Sequence, residues 1–171
     1  MISLNLKPND KVVSIGCGGG LWEVVIGLES IEFEFYLQDI NSDLLNEAEI
    51  AKTIEYFEKR YHKKVNCHFK IVIGTETETN LPSEYFDKVL LINSFHEFTY
   101  QEIMLNECKR VLKPGGVLFI EEELAQFIDE KHEGCGKRLF LEAELLQIFE
   151  KSNFINSKID IFNGKFFAQF I

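Results

Sequence analysis

Positive charge is scarce in this 171-residue chain, in which 18 lysine and arginine residues stand against 28 aspartate and glutamate residues, a formal net charge of -10. Nucleic-acid-binding proteins normally carry a basic surface because they neutralise phosphates. Long hydrophobic runs are also missing, and none in the sequence approaches the roughly 18 residues that a membrane-spanning helix needs. We therefore expect neither a nucleic-acid partner nor a membrane partner.

Paired cysteines are absent as well. The four cysteines are widely spaced and form no Cys-x-x-Cys pair, which is typical of reduced thiols rather than of a disulfide framework. The N-terminal sequence MISLNLKPNDK lacks the apolar segment of a secretory signal. These absences predict a cytoplasmic protein, and the length predicts that residues 1–171 form a single domain.

Apolar runs alternate with amphipathic segments along the chain. Helices are predicted to begin at Ser42 and at Thr99, and Pro114 with Gly115 is predicted to stop the second. Strands separated by helices imply right-handed crossovers and a parallel sheet covered on both faces, so the predicted fold class is α/β, doubly wound. Runs rich in β-branched and aromatic residues predict strands at residues 11–16, 33–38, 67–73, 86–92 and 116–121.

The C-terminal segment has a different pattern. After a predicted helix at about residues 141–151, the sequence FINSKIDIF is followed by Asn163-Gly164 and then by KFFAQFI. Asn-Gly readily adopts the positive φ values of a type I′ turn, which joins two adjacent antiparallel strands. The sequence therefore predicts a mostly parallel sheet that ends in a C-terminal antiparallel hairpin.

A glycine-rich turn, GCGGG at residues 16–20, follows the first predicted strand and precedes a helix. Glycines permit positive φ and the close approach of a ligand to the backbone. The second strand ends at Asp39, about twenty residues later, where a carboxylate can accept hydrogen bonds from both hydroxyls of a ribose. An alternative role for Asp39 is a cap or an Asx turn leading into Asn41 and Ser42. The pairing of turn and acid predicts a nucleoside-containing cofactor.

The spacing of the glycines bears on which cofactor that is. In the Gly-x-Gly-x-x-Gly fingerprint of dinucleotide-binding folds, the third glycine would fall at Leu21 or Glu23, and neither is glycine. Together with the terminal hairpin, this mismatch favours a ligand with adenosine and a sulfonium group. A nicotinamide-dependent oxidoreductase is the less favoured alternative.

Four segments resemble the class I methyltransferases that use S-adenosylmethionine: VVSIGCGGG, YLQDIN, LPSEYFDKVLLINSFHEF and RVLKPGGVLFIEE. The resemblance extends from Lys11 to Ile171. It implies S-adenosyl-L-methionine as the cofactor and the strand order 3-2-1-4-5-7-6, in which the hairpin supplies the seventh, antiparallel strand.

The resemblance also implies roles for individual residues. In that family the glycine turn holds the methionine part of the cofactor, the acid of the second strand binds the ribose, and the end of the fourth strand faces the transferring methyl group. Gly74-Thr75-Glu76 replaces an aspartate that often follows the third strand. The cofactor-binding residues implied here are Gly16, Cys17, Gly18, Gly20, Asp39, Ile40, Thr75 and Asn93.

Catalytic and acceptor-binding residues are expected at the same edge of the sheet. His96 follows the fourth strand, and an unperturbed pKa of about 6.5 suits a general base, although a histidine that only packs in the pocket wall is the alternative. The run at residues 121–123, three glutamates, is typical of solvated surface. His132 and Cys135 lie in a loop with two glycines, and we expect them to bind the acceptor.

No metal site is predicted, because His132 and Cys135 form one His-x-x-Cys pair and closed zinc sites need four ligands. The sequence predicts methyl transfer from S-adenosylmethionine to a small-molecule acceptor. Only about ten residues precede the first strand, so helices that cover the site in the family are missing from this segment. A homodimer partner could supply the cover. The alternative to an active methyltransferase is a module that binds the cofactor without catalysis and whose partner supplies the cover.

Overall fold

One seven-stranded sheet organises the computed structural model, which describes residues 4–28 and 31–171. The first three residues of the N-terminal segment lie outside this description. The strands are β1 (Lys11–Ile15), β2 (Glu34–Asp39), β3 (His68–Ile73), β4 (Phe86–Ile92), β5 (Leu112–Glu123), β6 (Asn156–Phe162) and β7 (Lys165–Phe170). Their order is β3-β2-β1-β4-β5-β7-β6. Strands β1 to β5 pair in parallel, and β7 pairs antiparallel with both β5 and β6, which confirms the predicted fold class and hairpin.

The α-helices are α1 (Leu21–Ile26), α2 (Glu47–Tyr61), α3 (Gln101–Val111) and α4 (Glu142–Lys151). Both predicted starts of the longer helices are wrong. Asn46, not Ser42, caps α2, because its side-chain oxygen accepts the backbone N–H of Glu49 at 3.1 Å. Thr99 does not cap α3, since its hydroxyl donates instead to Glu76 at 3.1 Å. No helix in the described ranges is long and apolar enough to cross a membrane.

Pro114 and Gly115, which were predicted to stop the second helix, lie in a strand that begins after the helix has ended. Strand β5 begins at Leu112, directly after α3, and passes through both residues. The register of β4 against β5 shifts in this stretch, and regular pairing begins at Lys88 with Val117. A proline lacks the N–H that a regular ladder needs, so it is tolerated where the pairing is irregular.

The sheet is covered on both faces by apolar side chains. Val13, Val89 and Leu91 belong to one buried cluster, whereas Val12 and Leu90 belong to another. Because successive side chains of a strand point to opposite faces, the two clusters lie on opposite sides of the sheet. Apolar packing on both faces holds the sheet in place, and the carboxyl ends of β1, β2 and β4 lie at one edge of it.

The hairpin turn offers a direct test of its backbone conformation. Asn163 and Gly164 have φ values of 51° and 73°. We expect Gly164→Ala to lower the free energy of unfolding by about 1 kcal/mol, since a non-glycine residue is disfavoured at positive φ. A Cβ there would meet no atom within 4 Å, so the cost is in the backbone alone. Urea denaturation measures the change. Asn163→Gly, the control, should stay within about 0.5 kcal/mol, and an equally stable Gly164→Ala protein would contradict the type I′ turn.

Candidate functional site

A cavity of about 490 Å³ opens at the carboxyl ends of β1, β2 and β4, and we call it the edge cavity. Ligands of doubly wound folds bind at this edge of the sheet. The residues implied as cofactor-binding line it, with the exception of Gly20. Those that do are Gly16, Cys17, Gly18, Asp39, Ile40, Thr75 and Asn93.

The glycines of the turn have two different functions in the structure. Gly16, Gly18 and Gly20 all have positive φ, at 71°, 53° and 68°. A Cβ on Gly18 would meet nothing within 4 Å, so this residue borders open space. A Cβ on Gly20 would lie 2.6 Å from the Cδ1 atom of Ile50 in α2. Gly20 therefore allows the start of α1 to pack against α2, which explains why it does not line the cavity.

Asp39 ties the end of β2 to the glycine turn. Its Oδ2 atom accepts the backbone N–H of Gly18 at 2.7 Å, and its Oδ1 atom accepts the N–H of Asn41 at 2.9 Å. The second bond is the Asx turn considered as an alternative from the sequence, and it coexists with the first. Each carboxylate oxygen accepts more than one hydrogen bond. Asp39 is therefore held in place and still able to accept hydrogen bonds from a ligand.

The far side of the edge cavity is partly apolar. Ile40 and Leu44 line it with about half of their surface exposed.

The hydroxyl oxygen of Thr75 accepts the backbone N–H of Thr77 at 3.3 Å and that of Glu78 at 3.0 Å, so it is engaged within its own loop.

Gln38 is a lining residue that the sequence analysis missed. Its side chain is buried, and its Nε2 atom has no hydrogen-bond partner within the described part of the chain. Buried polar groups are normally hydrogen-bonded, so this amide is an unsatisfied donor behind the cavity wall, closed off from a ligand in this conformation. The signal that could have found Gln38 is a polar residue at the end of an apolar strand.

A buried carboxyl lies beneath the glycine turn. Ser14 Oγ donates a hydrogen bond of 2.6 Å to Glu23 Oε1, and both residues are buried. The other carboxyl oxygen of Glu23 lacks a partner among the described residues. Burial raises the pKa of Glu23 to about 7, against the opposing effect of the bond from Ser14. Glu23 therefore titrates near neutral pH.

Replacing Glu23 by glutamine should change how stability depends on pH. The pKa of Glu23 rises on folding from 4.5 to about 7. Stability contributed by such a group is complete below the unfolded pKa and is lost as pH rises through the folded pKa. The difference in unfolding free energy between Glu23→Gln and wild type should therefore shift in favour of the variant by about 3 kcal/mol between roughly pH 4 and pH 8.

Denaturant unfolding at both pH values measures this shift. Glu47→Gln is the matched control, because Glu47 lies at the exposed start of α2, and this variant should not show the shift of about 3 kcal/mol. A pH-independent difference for Glu23→Gln as well would show that folding does not raise the pKa of Glu23.

His96 lies next to the edge cavity but is not part of its wall. It belongs to a 3-10 helix (Phe95–Glu97) after β4, and its side chain is completely buried. Its Nδ1 atom lies 2.7 Å from Glu122 Oε2, and Glu122 Oε1 accepts the backbone N–H of Phe95 at 2.6 Å. Burial lowers the pKa of His96, but the hydrogen bond and charge of Glu122 outweigh it, so that the pKa is raised overall.

The predicted solvated run of glutamates is wrong for its middle member. Glu122 is 0% exposed, whereas the neighbouring side chains of Glu121 and Glu123 reach solvent. Alternation along β5 points Glu122 inward, where it meets His96. Strand periodicity was the signal that could have identified Glu122.

A loop after β5 completes this second group of residues. Cys135 Sγ lies 3.4 Å from His96 Nε2 and 3.3 Å from His132 Nδ1. The structure thus brings together the histidine predicted to be catalytic and both residues predicted to bind the acceptor. We call His96, His132 and Cys135 the His-Cys cluster. Glu97 connects it to the edge cavity, since this residue lines the cavity and its carboxylate lies 3.9 Å from His96 Nε2.

Comparisons with known proteins agree with this architecture. A family model described as a methyltransferase domain matches residues 13–120. A sterol 24-C-methyltransferase of Gibberella zeae is 27% identical over 144 residues, covering 84% of this chain and 35% of that protein. A ubiquinone/menaquinone biosynthesis C-methyltransferase of Neisseria gonorrhoeae is 30% identical over 122 residues, covering 69% of this chain and 44% of that protein. This chain spans less than half the length of either relative.

The fold has solved counterparts too. A crystal structure of a SAM-dependent methyltransferase from Aquifex aeolicus matches with a TM-score of 0.72, covering 97% of this chain and 84% of that one at 19% sequence identity. That likeness concerns the fold, and the family model, which matches more than half of the chain, carries the assignment. Neither the comparisons nor the glycine spacing supports an oxidoreductase. The chain belongs to the S-adenosylmethionine-dependent methyltransferases, enzymes of the seven-stranded class I fold whose cofactor is S-adenosylmethionine.

Proposed function

We propose that this enzyme methylates an apolar small molecule and that the glycine turn and Asp39 hold its cofactor. The observation that carries the proposal is the position of the Asp39 carboxylate, which the N–H of Gly18 holds at the wall of the edge cavity. This carboxylate can accept further hydrogen bonds from a ligand. In its bound form the cofactor supplies an electrophilic methyl group on a sulfonium sulfur.

The edge cavity fits S-adenosylmethionine in size and in chemistry. Its volume of about 490 Å³ is within the usual range for small-molecule sites. Open space beside Gly18 accommodates the methionine part, and Asp39 accepts hydrogen bonds from the ribose hydroxyls. Ile40 and Leu44 offer apolar contact for the adenine.

A second cavity of about 490 Å³ supports an apolar acceptor. Its wall includes Val25, Phe119 and Phe167, and it shares Trp22 and Ile92 with the edge cavity. An acceptor lying there would be adjacent to the cofactor, and positioning alone can supply much of the rate of an in-line methyl transfer. The two relatives named as sterol and quinone-biosynthesis C-methyltransferases make sterols and quinols the first compounds to try.

The roles of the His-Cys cluster follow from its position. The Nε2 atom of His96 faces Cys135 rather than the wall of the edge cavity. An acceptor that used His96 as a base would lie at the loop that contains His132 and Cys135. This loop is on the opposite face of the sheet from the apolar cavity, because Glu122, which contacts His96, alternates with Phe119 along β5. Methylation of an acceptor in the apolar cavity would therefore not use His96.

The remaining parts of the proposal concern the whole chain. One sheet with a core on each face supports a single domain over residues 1–171. Free cysteines support a cytoplasmic location. Ile161 in the edge strand β6 and Ile155 directly before that strand are exposed. Exposed apolar side chains on an edge strand support contact with a second copy of the chain, that is, a homodimer.

Methyl transfer can be measured with radiolabelled S-adenosylmethionine and a panel of sterols, quinols, fatty acids and thiols. We expect label to enter at least one apolar acceptor, and we expect Asp39→Ala to abolish the transfer. Binding of the cofactor without transfer to any acceptor would favour the non-catalytic module. Transfer only to charged, water-soluble acceptors would contradict the role of the apolar cavity.

A further inference from the structure

The His-Cys cluster has the geometry of a metal site. Each of its three residues offers one ligand atom, and the three atoms lie within 4.8 Å of one another. Cys135 Sγ is 3.4 Å from His96 Nε2 and 3.3 Å from His132 Nδ1. Tetrahedral zinc, with Zn–N of about 2.0 Å and Zn–S of about 2.3 Å, holds its ligand atoms roughly 3.3–3.6 Å apart. The observed separations from the sulfur are close to those values.

The surroundings of both imidazoles provide independent support. His96 presents Nδ1 to Glu122 at 2.7 Å, which leaves Nε2 for an ion. His132 has Nε2 3.8 Å from Glu123 Oε2, and its Nδ1 accepts the backbone N–H of Cys135 at 3.3 Å, a hydrogen bond that a metal ion would replace. Histidine ligands of metals almost always direct their other ring nitrogen to a carboxylate, a carbonyl or water, because this fixes the ring and its tautomer. His96 has this arrangement through Glu122, and His132 has the carboxylate of Glu123 nearby without a hydrogen bond to it.

We propose that His96, His132 and Cys135 bind a zinc ion and leave one coordination position open. Two imidazole nitrogens and a thiolate are ligands that favour zinc over magnesium or calcium. Water occupies the open position, and the carboxylate of Glu97, 3.9 Å from His96 Nε2, lies beside it. Cys135 lies at the surface, so the ion enters from solvent, and its thiol releases a proton on binding.

The site joins two parts of the chain that are far apart in sequence. His96 comes from the end of β4, whereas His132 and Cys135 come from the loop after β5. Zinc held by all three would fasten this loop beside the edge cavity and would stabilise the folded state, because the complete ligand set exists only there. This proposal depends on neither the cofactor nor the acceptor, and a zinc-bound Nε2 of His96 could not also act as a base.

Cobalt(II) is a suitable spectroscopic probe for the site. Chelator-treated protein, without S-adenosylmethionine, is titrated with cobalt and then with zinc. We expect one equivalent of cobalt to give a thiolate charge-transfer band and the visible bands of tetrahedral cobalt, and zinc to abolish both. Zinc at about 100 times its dissociation constant should raise Tm by about 5–10 °C.

Three variants make the experiment decisive. Cys135→Ser should remove the charge-transfer band, and His132→Ala should weaken binding at least about 100-fold, since loss of an outer-shell partner alone costs 10–100-fold. His68→Ala is the matched control, because His68 is exposed on β3, away from the cluster. Circular dichroism checks that each variant is folded. The proposal would be overturned if wild type gave no charge-transfer band or if Cys135→Ser kept the band. It would also be overturned if His68→Ala lost as much metal affinity as His132→Ala.

Discussion

Replacing Asp39 by alanine is expected to lower the affinity for S-adenosylmethionine at least about 100-fold. The carboxylate would accept hydrogen bonds from two ribose hydroxyls, and bonds to charged groups contribute about 1.5–3 kcal/mol each. The variant also loses the bond that positions the N–H of Gly18. A combined loss of about 3 kcal/mol corresponds to more than a hundredfold change in dissociation constant.

Isothermal titration with S-adenosylhomocysteine and with S-adenosylmethionine measures the effect of Asp39→Ala. Asp43→Ala is the matched control, because Asp43 is an exposed aspartate in the segment that follows, and it should bind like wild type. Asp39→Asn keeps one acceptor oxygen without the charge and should fall between the two. An affinity of Asp39→Ala within threefold of wild type would show that the ribose lies elsewhere.

Glu122→Ala is expected to lower the free energy of unfolding by about 3–5 kcal/mol, the loss typical of a broken buried charge pair. Its carboxylate, completely buried, accepts the backbone N–H of Phe95 at 2.6 Å and contacts His96 Nδ1 at 2.7 Å. Alanine would leave both groups buried without that partner and would open a cavity, and each effect is destabilising. Urea or guanidinium denaturation measures the change.

Glu123→Ala is the control for Glu122→Ala. The side chain of Glu123 is 45% exposed and its nearest cation partner, His132, is 3.8 Å away, so the expected loss is below about 1 kcal/mol. Glu122→Gln should be intermediate, because its amide oxygen can still accept one bond. If the two alanine variants unfolded with equal free energies, the buried contacts of Glu122 would not contribute to stability.

Much of the fold could be predicted because its signals are local. Apolar strands alternating with helices indicate a parallel sheet, and Asn163-Gly164 indicates the hairpin by itself, since few dipeptides adopt two consecutive positive φ values. The glycine turn and Asp39 were found for the same reason. Each is recognisable from its place directly after an apolar strand.

Most of the features that were missed depend on contacts between distant residues, whereas the burial of Glu122 was indicated locally by strand periodicity. The acidic run suggested solvated surface, but Glu122 is buried because alternation along β5 points it at His96. The convergence of His96 on His132 and Cys135 follows from the path of the loop after β5, which no local pattern specifies. Gly20 was grouped with the ligand-binding glycines because its contact with Ile50 needs the position of α2.

The most direct test of the cofactor site is a crystal structure of the protein with S-adenosylhomocysteine. We predict the ribose hydroxyls within hydrogen-bond distance of Asp39, the homocysteine part against Gly16 and Gly18, and the adenine between Ile40 and Leu44. A ligand bound in the apolar cavity beside Phe119 and Phe167, with the edge cavity empty, would contradict it.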